Sequence, residues 1–151
     1  MSDEILIRLM NDEDAKYLAK IEEETFSMPW KVNDFLEMNA HDEVSYLVAV
    51  KDGNIIGGAG IRNVLGDGEI TNVVIKREYR GKGYAKLLLG SLLEEGRRLG
   101  AVDFTLEVRV SNAPAIGLYE SFGFVCEGIR PGFYEKPKED AGIYWLRENK
   151  C

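Results

Sequence analysis

The stretch Ile70-Thr71-Asn72-Val73-Val74-Ile75, followed after four residues by Arg80-Gly81-Lys82-Gly83-Tyr84-Ala85, decides how this chain folds. The first six residues are largely apolar and β-branched, the pattern of a strand. From Leu87-Leu88-Leu89 to Leu99 apolar residues recur at helical spacing. A glycine-rich turn between a strand and a helix start presents backbone N–H groups to an anion, and the positive end of the helix dipole adds to the attraction. Arg80, Lys82 and Lys86 bring further positive charge. The segment reads as a phosphate cradle. The same residues also describe a basic, exposed turn that binds nothing. Two common phosphate loops do not fit. No G-x-x-x-x-G-K-S/T string exists, and a dinucleotide loop would follow the first strand and carry a third Gly where Lys86 stands.

Working outward, Glu69–Ile75 is the fourth strand of the reading. Before it come a strand over Ile5–Leu9 and a helix capped by Asn11 with an acidic first turn, Asp12-Glu13-Asp14. The apolar stripe of that helix is Ala15, Leu18 and Ile21, with Phe26 as its extension. Ser27-Met28-Pro29-Trp30 breaks it, since Pro29 cannot continue a helix. A short helix follows over Val32–Met38, then strands over Val44–Val50 and Ile55–Val64 joined by a turn at Asp52-Gly53-Asn54. Gly66-Asp67-Gly68 is the next turn. After the phosphate loop the helix stops at Gly100. Val102–Val108 is a fifth strand. A helix capped by Ser111 or Asn112 runs to Ser121 and is closed by Gly123. Phe124–Ile129 and Ala141–Leu146 are the last strands, separated by a loop containing Arg130-Pro131-Gly132-Phe133-Tyr134 and a lysine-rich run. The order β-α-α-β-β-β-α-β-α-β-β predicts one mixed α/β domain over 1–151, with a mostly antiparallel twisted sheet and a central βαβ unit.

The composition agrees. The chain has 151 residues, 45% hydrophobic and 30% charged, enough for one core-bearing domain. No apolar run approaches the ~20 residues that span a membrane. Met1-Ser2-Asp3-Glu4 lacks the basic and apolar regions of a signal peptide. Cys126 and Cys151 make no disulfide framework and no C-x-x-C, so a reducing cytoplasm is expected. The net charge of −7 argues against nucleic acid as the main ligand and suits a basic partner. With His41 alone, no site needing two histidines exists, and no metal is expected; His41 reads as a solvated loop residue.

The second signal is Leu106-Glu107-Val108-Arg109-Val110-Ser111-Asn112. Glu107 is a charge inside an otherwise apolar strand. Alternation places it on the side of Thr105, so it also fits a solvent-facing residue at a sheet edge. In the following helix Tyr119 lies one turn after Ala115, on the same face. That position fits a core aromatic with its hydroxyl at the rim. Phe122 and Phe124 read as core.

Together these strings resemble the GNAT N-acetyltransferases. Arg80-x-x-Gly83-x-Ala85 matches that family's pyrophosphate loop, Gln/Arg-x-x-Gly-x-Gly/Ala. Asn112 and the Ala115…Tyr119…Gly123-Phe124 run match as well. Pro29-Trp30, Leu106-Glu107-Val108-Arg109-x-Ser111-Asn112, Leu118-Tyr119-Glu120-Ser121 and Glu139-Asp140-Ala141 are similar to the RimI type, the bacterial ribosomal-protein-alanine N-acetyltransferases. The likeness covers about residues 5–147.

The resemblance implies acetyl-CoA as cosubstrate. Its pantetheine arm would pair with the backbone of Val73, Val74 and Ile75 like an added strand. Its pyrophosphate would sit on Gly81, Lys82, Gly83, Tyr84, Ala85 and Lys86 beside Arg80, and Asn112 would touch the arm. Glu107 would be the general base and Tyr119 the general acid. The chemistry is consistent with these roles. An α-amine with a pKa of about 7.7–8.0 must lose a proton before it attacks a thioester, and a tyrosine with a pKa of about 10 can protonate a leaving thiolate. A strand N–H near Val73 or Val74 can receive the oxyanion. Glu69 stands where related N-terminal acetyltransferases carry a His, and could share the base role. Trp30, Glu69, Arg130 and Tyr134 are candidates for the acceptor side, with Met28, Pro29 and Phe133 in the same two segments; Trp30 and Phe133 equally fit core packing. The expected acceptor is a protein N-terminus, the alanine of a small-subunit ribosomal protein. A small-molecule amine acetyltransferase, a CoA-binding module without catalysis and an adaptor that binds no CoA are the other readings. A monomer is expected, with exposed β-edges as the route to a weak dimer.

Overall fold

The computed structural model of the chain describes residues 4–148. The acidic start at residues 1–3 and Cys151, both read above, lie outside them. Seven strands and four helices follow one another as β1 (Leu6–Leu9), α1 (Ala15–Thr25), α2 (Val32–Met38), β2 (Val44–Lys51), β3 (Asn54–Val64), β4 (Asp67–Ile75), α3 (Tyr84–Arg98), β5 (Asp103–Arg109), α4 (Ala113–Ser121), β6 (Val125–Glu135) and β7 (Lys138–Arg147). Single 3-10 turns at Asp12–Asp14 and Arg77–Tyr79 precede α1 and the glycine loop. The sheet order is β1-β2-β3-β4-β5-β7-β6, and every neighbouring pair is antiparallel except β4 and β5.

Local chemistry explains most boundaries. Asn11 Oδ1 accepts the Asp14 N–H at 3.1 Å, and Asp14 Oδ2 accepts the Asn11 N–H at 2.8 Å, a reciprocal cap. Asp14 also holds Arg8 through two bonds of 2.7 and 3.1 Å. α1 ends at Thr25; Phe26 is extended and exposed, so it is not part of the buried stripe. The turn after β3 is shorter than expected. Val64 pairs with Asp67, and Leu65 and Gly66, both at positive φ, make a two-residue hairpin whose twist matches the strands. β4 therefore starts two residues early.

The larger correction is at the C-terminal hairpin. Residues 130–135 are strand rather than loop, and β6 and β7 are joined across Lys136-Pro137. Pro131 is tolerated because β6 is an edge strand, and Gly132 takes φ +61 where the register slips between Arg130 and Tyr134.

Two apolar cores flank the sheet. Leu88, Leu89, Leu92 and Leu93 of α3 pack with Ile61, Phe104, Leu106, Val108 and Tyr144, and Tyr119 and Phe124 join this core. Burying each such leucine contributes about 1.5–3 kcal/mol. Leu18 of α1 and Phe35 and Met38 of α2 pack with Val44, Tyr46 and Val48 in the second core. There Gly58 and Gly60 make room: a Cβ on Gly60 would lie 2.4 Å from Thr71 Oγ1 and 2.8 Å from the Tyr46 ring.

One irregularity positions everything that follows. β4 and β5 pair only over Asp67–Glu69 and Asp103–Thr105. In the β3–β4 ladder Gly60 pairs with Asn72 and Ile61 with Ile70, so Thr71 is an extra, bulged residue. A bulge bends its strand and increases its twist. Pairing with β5 has ended at Glu69, just before the bulge, and from there the two strands open into a V.

Candidate active site

The V leaves the β5-facing backbone of Val73, Val74 and Ile75 without a strand partner, while β3 holds the other edge. Below Ile75 the chain passes through Arg77–Tyr79 into Gly81 and Gly83, at φ +76 and +83. No heavy atom lies within 4 Å of where a Cβ would stand on either glycine. They are required by backbone conformation, and the space around them is open. Gly83 caps α3, whose first N–H groups, on Tyr84, Ala85 and Lys86, have no partner within the helix. These N–H groups are continuous with the unpaired strand edge, an arrangement that can hold an anion. Lys82 and Lys86 are exposed beside it.

Two of the expected loop residues are used differently. The Tyr84 side chain is buried in the larger core, so only its backbone faces the cradle. Arg80 donates from Nε to the Ile75 carbonyl at 2.8 Å and from Nη2 to Thr25 Oγ1 at 3.2 Å, pinning the loop to the ends of β4 and α1. Asn112 caps α4, its Oδ1 accepting the Ala115 N–H at 3.2 Å.

On the α1–α2 side of the sheet, alternation along β5 presents Thr105, Glu107 and Arg109. At Glu107 β5 is paired with β7 on one side only, because its pairing with β4 stops at Thr105, so Glu107 is exposed where β5 borders the V. Its Oε2 lies 3.1 Å from Arg130 Nη1. Tyr119 comes from α4, is 8% exposed and packs 5.8 Å from Phe124. Burial first, and then the Tyr134 hydroxyl nearby, push its pKa up to about 12. Tyr134 is itself raised, by burial and then by the Glu107 charge. Tyr134 is thus close enough to influence Tyr119 and to be influenced by Glu107. The guanidinium of Arg109 lies 4.3 Å from the Tyr134 ring and also binds the carbonyls of Lys136 and Pro137 and the carboxylate of Glu139.

Glu69 shares the face of Thr105 and Glu107. It lies in the paired part of β4, opposite Thr105 and Arg62, before the bulge. Trp30 is half-buried, 5.3 Å from Phe35 and 6.4 Å from Tyr46. Met28 and Phe133 are exposed, and Arg130 stacks on Phe133. The Ser27 hydroxyl donates to the Lys136 carbonyl, so the α1–α2 connection and the β6–β7 turn touch and close one end of the mouth.

The comparisons with known proteins match this geometry. The acetyltransferase (GNAT) family matches residues 15–124. A Bacillus subtilis (strain 168) protein, provisionally assigned as a ribosomal protein bS18-alanine N-acetyltransferase, is 40% identical over 99% of this chain and 100% of its own length. The chain belongs to the GNAT acetyltransferase family. The Haemophilus influenzae ribosomal protein bS18-alanine N-acetyltransferase is 35% identical over 82% of this chain and 84% of its own. The crystal structure of the ribosomal-protein-S18-alanine N-acetyltransferase from Escherichia coli superposes with a TM-score of 0.88 at 29% identity, over 98% of this chain and 96% of that one. As a GNAT enzyme the protein is an acetyltransferase with acetyl-CoA as its cosubstrate. The open edge of β4 and the glycine cradle fit an elongated thioester arm that leads to a pyrophosphate.

One buried carboxylate near the V has no counterpart among the expected site residues. Glu22 of α1 is 2% exposed and accepts from the Trp30 N–H and from Asn72. Its signal was present: it falls four residues after Leu18, on the apolar stripe itself.

Proposed function

We propose that this acetyltransferase, acting as one domain over 1–151, acetylates the N-terminal α-amine of a protein, the alanine of a small-subunit ribosomal protein, in the cytoplasm and as a monomer. The named activity of relatives matched over 84–100% of their length supports that target. The observation that carries the reading is the V itself. The unpaired edge of β4 and the carboxylate of Glu107 flank one opening, and the two acceptor segments meet above it.

Acetyl-CoA supplies an acetyl thioester. Val73, Val74 and Ile75 hold its arm through backbone hydrogen bonds, and residues 81–86 hold its pyrophosphate, with Arg80 bracing the loop. The backbone N–H at Val73 or Val74 receives the negative charge that develops on the carbonyl oxygen. Glu107 accepts the proton of the acceptor amine, directly or through one water. Tyr119, kept protonated by burial, donates its proton to the departing sulfur. Trp30, Arg130 and Tyr134 line the acceptor side. No covalent enzyme intermediate is needed, so neither cysteine needs a catalytic role.

Incubation with acetyl-CoA and a peptide beginning with alanine tests this. Mass spectrometry is expected to show one acetyl group on the α-amine. Turnover of polyamines or free amino acids with none of the peptide would sink the reading.

A further inference from the structure

Among the described residues, the side chains of Asp14, Glu22, Ser45 and Asp103 are the buried polar or charged ones, and Glu22 is the most enclosed. Its two oxygens serve different segments. Oε1 accepts the Trp30 backbone N–H at 3.0 Å, and Oε2 accepts Asn72 Nδ2 at 3.2 Å. Asn72 is fixed on every side. Its Nδ2 also reaches Tyr46 Oη at 3.2 Å, and its Oδ1 accepts the Thr71 hydroxyl at 3.1 Å. Trp30 ends the α1–α2 connection, which forms one wall of the mouth. Asn72 is the first residue beyond the Thr71 bulge, in the part of β4 that no longer pairs with β5.

We propose that Glu22 is a positioning residue whose buried carboxylate locks the acceptor-side backbone at Trp30 to the acyl-donor strand at Asn72. This rests on the proposed function for which wall receives the acceptor and which strand the donor.

Packing alone does not call for a carboxylate here. The neighbouring stripe residues Ala15, Leu18 and Ile21 show that an apolar side chain suits this helix face. A charge removed from water is costly, and the hydrogen-bond partners of Glu22 are neutral amides that repay it only in part. What the carboxylate alone provides is acceptor capacity on both oxygens. A glutamine must turn its NH2 toward one of the two N–H donors and lose that bond. The group therefore joins three segments, α1, the loop at Trp30 and β4, at the two places where the walls of the V begin. Small displacements of either wall misalign amine and thioester.

The test is Glu22→Gln beside the wild-type protein, with the alanine peptide and acetyl-CoA. Loss of one tether is expected to raise the acceptor KM about tenfold, with the acetyl-CoA KM within about twofold and kcat lowered less than about threefold. Amide hydrogen exchange over residues 27–31 is expected to quicken about tenfold while α3 is unchanged. A folded variant in which either readout fails to move overturns the proposal, as does an equal loss across both substrates and all elements. Should Glu22→Gln not fold, Asn72→Ala removes the other end and is expected to raise the acceptor KM likewise. If the wild-type protein leaves the peptide unmodified, the proposed function falls, and the exchange at 27–31 alone decides the role of Glu22.

Discussion

Glu107 and Arg130 meet at 3.1 Å across the intervening strand β7. Their side chains are 32% and 55% exposed, and a pair so wetted contributes at most about 1 kcal/mol. The contact is therefore no pillar of the fold. It places a cation where the proposed reaction brings the acceptor's ammonium. Glu107→Gln is expected to lower kcat by about 10²–10⁴-fold and to leave acetyl-CoA affinity within about twofold. Its Tm should fall by no more than about 4 °C. Steady-state kinetics, calorimetry and a thermal melt check these together; a normal kcat removes Glu107 from the base role.

Tyr119 is expected to keep its proton through the working range. A group raised to about 12 is protonated at every pH below that value, and the acid form is the one that donates. The rate should rise from pH 6.5 to 8.5 as the acceptor amine deprotonates, and then stay level to about pH 10.5. Tyr119→Phe should lower kcat without changing that profile's rising limb. An alkaline fall near pH 9 in the wild-type profile that vanishes in Tyr119→Phe would contradict the raised pKa.

Gly83→Ala meets no steric obstacle, since the space around a Cβ is open. Its cost is conformational, because φ is +83 and an L-residue there loses about 1–2 kcal/mol. Tm should fall by about 2–8 °C. The acetyl-CoA KM should rise several-fold as the first N–H groups of α3 turn away, while the acceptor KM stays put. A rise in the acceptor KM alone would show that the cradle holds something else.

Gly60→Ala is the opposite case. Gly60 has no positive φ, and a strand Ala is ordinarily favourable. Here the new Cβ would press on Thr71 Oγ1 at 2.4 Å, the Tyr46 ring at 2.8 Å and Met38 Cε at 3.0 Å. Overpacking of this kind costs about 1–3 kcal/mol. Chemical denaturation should show that loss, and a gain in stability would mean the bulge at Thr71 yields easily.

Glu22 gives a pH dependence of definite sign. Burial raises its pKa, outweighing the hydrogen bonds from Trp30 and Asn72, and the Asp34 charge adds to the rise. The native state then takes up this proton before the unfolded chain does. Stability from this group is present below the unfolded value of about 4.5 and is lost as pH rises through the higher folded value. Relative to Glu22→Gln, the wild-type Tm should improve as pH falls from 7 to the unfolded value of about 4.5. A constant difference across that range would show that Glu22 is not desolvated.

Much of this was legible in the chain itself. Turn glycines, the Asn11 cap and the 3.6-residue stripe of α3 announced their elements because each signal is local. The cradle was legible for the same reason, since Gly81 and Gly83 carry the left-handed backbone that bends a strand into a helix. The hairpin at 130–140 was misread because Pro131 and Gly132 are loop signals everywhere except on an edge strand. Whether β6 is an edge depends on the order of strands, which no local pattern encodes. Tyr84 and Arg80 likewise sat in the right motif, but their side chains serve the core and the ends of β4 and α1.

By itself the sequence determined the succession of elements, the anion cradle and the residue types that acyl transfer needs, because these depend on neighbours a few positions apart. The tertiary structure alone decided that Thr71 bulges, that β4 and β5 part after three paired residues, and that Tyr134 comes within electrostatic reach of both Glu107 and Tyr119. It alone turned Glu22, a charge on an apolar stripe, into the tie between residues 30 and 72. Such relations join segments some 50 residues apart, and they exist only once the backbone has closed around them.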